Sequence, residues 1–127
     1  MRFMCLVYID PSKISKMTPE EGRQLTDDTI AEDKALLASG KLLLAQPLDE
    51  PQTAVTVRIR NGAMSSTDGP FAETKEHLGG LFFIEAASRD EAVAIAGTSA
   101  ILKYGSIEVR PALEQTHSVT GEARPRI

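Results

Sequence analysis

The alternation of apolar and polar positions divides the chain into short strands and two longer helical stretches. Residues Arg2 to Ile9 read as a strand in which Phe3, Cys5, Val7 and Ile9 point one way and Met4, Leu6 and Tyr8 the other. Both sets are apolar, so this strand belongs at the centre of a sheet covered on both sides. Asp10-Pro11-Ser12-Lys13 reads as a turn or loop. Thr18-Pro19-Glu20-Glu21 then opens a helix: Thr18 caps, Pro19 suits the first helical position, and Glu21 completes a capping box. That helix runs to about Ser39 and stops at Gly40. Leu25, Ile30, Leu36 and Leu37 give it a loose apolar face, and Asp27, Asp28, Glu32 and Asp33 an acidic face assigned to solvent.

Leu42 to Leu48 is a second apolar strand, interrupted by Pro47. From Thr53 to Arg60, Val55, Val57 and Ile59 alternate with Thr56, Arg58 and Arg60. Asn61-Gly62 turns the chain tightly into a short returning strand, Ala63 to Thr67. Asp68-Gly69-Pro70-Phe71 and a polar loop to His77 follow, then Gly79-Gly80 and an apolar strand, Leu81 to Ala86. Ser88-Arg89-Asp90-Glu91 repeats the capping pattern and opens a helix ending at Tyr104-Gly105. Ser106 to Leu113 is the last strand. Setting the hairpin strand aside leaves βαββαβ, which predicts a ferredoxin-like α+β domain with an antiparallel sheet. Two strands apolar on both faces would expose a large patch in isolation, so a homodimer through the sheet face is expected. The competing arrangement is a monomer whose tail covers that face.

Composition narrows the class. A chain of 127 residues, 42% hydrophobic and 25% charged, suits one soluble domain. The domain is expected over residues 1–114, with a polar tail, mobile or docking on a partner, over 115–127. A net charge of -4 offers no basic stripe for nucleic acid. No apolar run approaches the roughly 20 residues of a membrane span. The short N-terminal apolar run has no cleavage-type site, and the single Cys5 allows no internal disulfide, so the expected compartment is the cytoplasm. Cys5, mid-strand, is expected to be buried and inert.

Asp68-Gly69-Pro70-Phe71-Ala72-Glu73-Thr74-Lys75-Glu76, followed by His77-Leu78-Gly79-Gly80, resembles the signature of the DGPF group of YCII-related proteins. The apolar first strand ending in Tyr8, the hairpin before the motif, and the closing Ser106-Ile107-Glu108-Val109-Arg110-Pro111 agree with it. The resemblance spans roughly residues 1–113, most of a domain. It implies a dimeric α/β-barrel form of the ferredoxin-like fold. It also implies kinship with isomerases, dehydrochlorinases and monooxygenases that act on small molecules, generally without metal or organic cofactor. Some members of the group are encoded beside alternative sigma factors, which points to regulation. The wider group's proposed His–Asp pair, with its His on the first helix, is not carried over, because Pro19 to Ser39 contains no histidine.

Candidate chemistry lies around the motif. Asp68 is either a general base, if desolvation raises its pKa, or the start of an Asx-type turn. His77 is either its acidic partner or a solvated loop histidine. Glu73 and Lys75 are ligand contacts or members of a polar dimer rim, Phe71 anchors the loop in an apolar pocket, and Tyr8 reaches a cleft or fills the core. No zinc-type or calcium-loop spacing is present, and no cofactor is expected. Two functions follow, and a purely structural partner role stays open beside them. One is a binding or regulatory module for a small anionic or aromatic molecule. The other is a cofactor-independent isomerase or lyase using Asp68 and His77 as base and acid on a carbonyl or aromatic compound.

Overall fold

A computed structural model describes residues 1–126. Strand β1 (Arg2–Ile9) leads through a short helix α1 (Pro11–Ile14) into helix α2 (Pro19–Ala38) and strand β2 (Leu42–Pro47). A 3-10 turn (Pro51–Thr53) precedes the hairpin strands β3 (Val55–Arg60) and β4 (Ala63–Asp68). Strand β5 (His77–Glu85), helix α3 (Arg89–Ala96), a second 3-10 turn (Ala100–Lys103) and strand β6 (Gly105–Pro111) follow. The main sheet has the order β2-β5-β1-β6, with every neighbour antiparallel. This is an α+β architecture consistent with a ferredoxin-like arrangement. Strands β3 and β4 form a separate two-stranded ribbon. No described helix is long and apolar enough to cross a membrane.

The core sits between the sheet and its helices. Phe3 and Cys5 of β1 and Ile84 of β5 are fully buried, packed with Ala92 and Ile95 of α3 and Leu36 of α2. Register explains this set: Phe3 pairs with Ile84, and Cys5 with Phe82 and Val109, so all stand on the helix-covered face. Burial pushes the Cys5 thiol up to about 11, which keeps it protonated and unreactive. The opposite face carries Met4, Leu6, Tyr8, Leu81, Phe83 and Leu44.

The expected helix start at Thr18 stands: its hydroxyl accepts from Glu21 N–H, and the Glu21 carboxylate accepts from Thr18 N–H. The Asn61-Gly62 turn also stands, with positive φ at both residues (52° and 78°) as the tight hairpin turn requires.

Several boundaries differ from the sequence reading. Asp10 to Lys13 is not a plain loop. The Asp10 carboxylate accepts from Ser12 N–H at 3.0 Å and Oγ at 2.7 Å, which caps α1 with Pro11 at its first position. The second long helix ends at Ala96, because Ser99 caps a new 3-10 turn by accepting from Ile101 N–H. Strand β5 begins at His77 rather than Leu81. Gly79 sits at an irregularity opposite Val7 and Tyr8, where a Cβ would meet Ile9 Cγ1 at 2.4 Å.

The tail is not structureless. Thr116 bridges Ala123, and His117 Nδ1 accepts from Val119 and Thr120 N–H at 3.1 and 3.2 Å. The Arg126 guanidinium returns over the Phe83 ring at 5.5 Å and pairs with Glu114 at 2.9 Å.

Candidate functional site

The motif loop divides the expected site residues between two places. Asp68 ends β4, pairs with Val55, is exposed, and its carboxylate accepts no hydrogen bond among the described residues. It makes no Asx turn. The following N–H, of Gly69 at φ 102°, bonds to Ala54 O at 2.7 Å instead. Phe71 does not enter a pocket: it is 80% exposed, with the Arg58 guanidinium 5.6 Å from its ring centre. Glu73 is exposed on the same loop.

Lys75, Glu76 and His77 lie instead at the end of the main sheet. His77 pairs with Ile9 and is half-buried. Ser106 Oγ donates to the Glu76 carboxylate at 3.2 Å. The Asp10 carboxyl is held below its ordinary range chiefly by the Ser12 hydroxyl and amide, with Lys13 and Lys75 adding to the effect. Tyr8 stands on the sheet face away from the helices, opposite Leu78 and Ser106. No hydrogen bond joins Asp68 to His77, and the two residues belong to different sheets.

An apolar cavity lies elsewhere, between α2, α3 and the sheet, with a volume of about 750 Å³. Its floor is Val7, Ile9, Ala45, Gly80 and Phe82; its walls include Leu25, Leu36, Ile95 and Ile101. Local sequence explains the space. Gly80 and Ala45 put almost no side chain on the floor, and a Cβ at Gly80 would already lie 3.2 Å from Gln46 O. Helix α2 has too few large apolar residues to descend onto that floor, and none of its residues is fully buried.

Three carboxylates reach this cavity: Glu32, Asp33 and Glu91. Glu32 accepts from Ala100 N–H at 2.7 Å and Ser99 Oγ at 3.0 Å, so it fastens α2 to the second 3-10 turn. Glu91 accepts from Lys41 at 2.6 Å and Ala87 N–H at 3.0 Å, and these bonds, Lys41 first, hold its carboxyl below the ordinary range. Asp33 accepts no hydrogen bond among the described residues. Burial, with a smaller push from the Glu32 charge, raises its carboxyl above the ordinary value. The acidic face of α2 assigned to solvent is therefore divided, and Glu32 and Asp33 turn toward the cavity. No described group of His, Cys, Asp and Glu side chains is arranged to hold a metal ion.

Comparison with known proteins agrees with the motif. The chain is 38% identical over 113 residues to an uncharacterised protein of Rhizobium meliloti (strain 1021), covering 87% of this chain and 91% of that protein. The YCII-related domain family matches residues 1–116. The chain therefore belongs to the YCII-related family.

Proposed function

We propose that this protein binds a small, largely apolar molecule in the cavity between α2, α3 and the sheet, with Asp33 meeting the ligand's polar atom. The observation that carries this reading is the Asp33 carboxyl, which has no partner among the described residues, on the wall of an apolar cavity of about 750 Å³. Ligand sites are typically about 300–1,000 Å³, mostly apolar, with few placed polar groups. A carboxyl displaced upward by burial is a common mark of a functional cleft. If the protein is an enzyme, the same geometry makes Asp33 the proton-transfer group of a cofactor-independent isomerase or lyase. The acid–base pair of Asp68 and His77 has no contact behind it and serves as the control.

The test is a thermal-shift screen of lactones, phenols and small carboxylates against wild type, Ala45→Leu and Asp68→Asn. Ala45→Leu fills the cavity floor. A ligand that stabilises wild type and Asp68→Asn but not Ala45→Leu supports the reading. One lost only in Asp68→Asn moves the site to the motif loop.

We also propose that a second copy covers the open sheet face, in a dimeric barrel. Leu44 on that face is 52% exposed, and on the ribbon Val57 and Ile59 are 64% and 70% exposed. Large apolar side chains left exposed on a sheet face and on a hairpin commonly mark a protein contact.

A further inference from the structure

The polar groups on the cavity wall are nearly all acceptors. Thr26 donates its hydroxyl proton to Gly22 O at 3.2 Å, and Thr29 to Thr26 O at 3.1 Å. Thr98 donates to Ile95 O at 2.8 Å, and Ser99 to the Glu32 carboxylate at 3.0 Å. Each acceptor is a carbonyl or carboxylate oxygen with no proton of its own, so these directions are unambiguous. Gln46 donates through its amide to Pro47 O at 2.9 Å. Beyond the second N–H and the oxygen of the Gln46 amide, the unspent polar capacity of these side chains is hydroxyl lone pairs and the Asp33 carboxyl.

Charge points the same way. Glu32 and Glu91 are already engaged, Asp33 is not, and no Lys, Arg or His lines the cavity among the described residues. Lys41, just outside, is held by Glu91. An anion entering this space would give up its hydration and meet carboxylates with no cation to offset them. A neutral alcohol would supply one donor. An ammonium supplies three donors and the missing charge. Thr29 lies one turn before Asp33 on α2, so its hydroxyl oxygen and the carboxylate form adjacent acceptors for such a group.

We propose that the cavity takes a small apolar amine, its ammonium on Asp33 and Thr29 and its hydrocarbon body against Val7, Ile9, Leu36 and Phe82. This rests on the cavity being the binding site and narrows it to one ligand class. It departs from the anionic alternative of the small anionic or aromatic ligand expected at the motif loop, and is compatible with the aromatic one.

The experiment uses three probes of one shape: 2-(aminomethyl)naphthalene, 2-naphthalenemethanol and 2-naphthoate, each titrated calorimetrically into the full chain at neutral pH. Wild type is expected to bind the amine at least tenfold more tightly than the alcohol and to show no naphthoate binding. Asp33→Asn is expected to lose that preference tenfold or more while still binding the alcohol. Asp68→Asn is expected to behave as wild type. Alcohol or naphthoate binding as tight as the amine overturns the amine assignment and leaves the cavity in place when Ala45→Leu abolishes it. Amine binding unchanged in Asp33→Asn also overturns it, assigning the attraction to the acidic surface at large. No binding of any probe overturns both the amine assignment and the cavity reading.

Discussion

Glu32 and Asp33 are neighbours on one helix, and their carboxylates have opposite surroundings. Glu32 accepts from Ala100 N–H at 2.7 Å and Ser99 Oγ at 3.0 Å, whereas Asp33 lines the cavity with no donor among the described residues. One residue holds the fold together; the other is left available. This division gives the helix a structural side and a binding side within a single step of sequence.

Glu32→Ala should therefore weaken the fold. It removes two partly buried charge-assisted hydrogen bonds and leaves Ala100 N–H without a partner, at an expected cost of about 2 kcal/mol. Urea denaturation at neutral pH measures it. A loss near zero would mean that solvent replaces Glu32 freely and that the second 3-10 turn is held by other contacts.

Asp33→Asn should do the reverse, with a defined pH dependence. The folded-state carboxyl lies above its ordinary value of 3.8, so wild type keeps its full relative stability below that pH. It loses stability as pH rises through the raised folded value, where the charged form is disfavoured. The amide carries no such penalty. The variant should match wild type in acid and exceed it at neutral pH. Parallel denaturation curves across pH 3 to 8 check this, and a variant less stable at neutral pH would show that the carboxylate has a stabilising partner.

Gly105→Ala should be severe. A Cβ there would stand 1.8 Å from Tyr8 O, a backbone atom in the paired strand that has no room to yield. The expected loss is about 3 kcal/mol or more, at the upper end for overpacking. Chemical denaturation, or soluble yield if the variant does not fold, reads the effect.

Leu44→Glu tests the second copy. Leu44 is exposed on the outer face of β2, so the change should leave the fold intact. Wild type should sediment as a dimer and the variant as a monomer. A monomeric wild type would contradict the dimer and leave the tail, whose Arg126 already lies over Phe83, as the cover of that face.

Much of the fold was legible because local signals agreed with tertiary ones. The capping box at Thr18, the Asn61-Gly62 turn and the two-faced apolar strand Arg2–Ile9 all appear as read. Boundaries failed where a side chain reached outside its own element. Glu32 and Ser99 together hold a 3-10 turn where helical periodicity ran on, and the space beside Ile9 sets Gly79 within a strand.

The candidate site was less legible. Asp33 sits among acidic residues at a spacing that fits a solvated face, and nothing local distinguishes it from Asp27. Two signals pointed to the cavity: adjacent glycines, Gly79 and Gly80, leading an otherwise apolar strand, and a long helix with few large apolar residues. Together they leave a gap in the floor at Gly80, beneath a wall that does not close.

The most direct test of the cavity assignment is amide chemical-shift mapping of the isotope-labelled chain during titration with 2-(aminomethyl)naphthalene. The account predicts that the saturable shifts cluster at Thr29, Asp33, Gly80, Ile95 and Ser99, and leave Asp68 to Glu73 unmoved. Shifts centred on Asp68 to His77, with α2 and α3 silent, would contradict it.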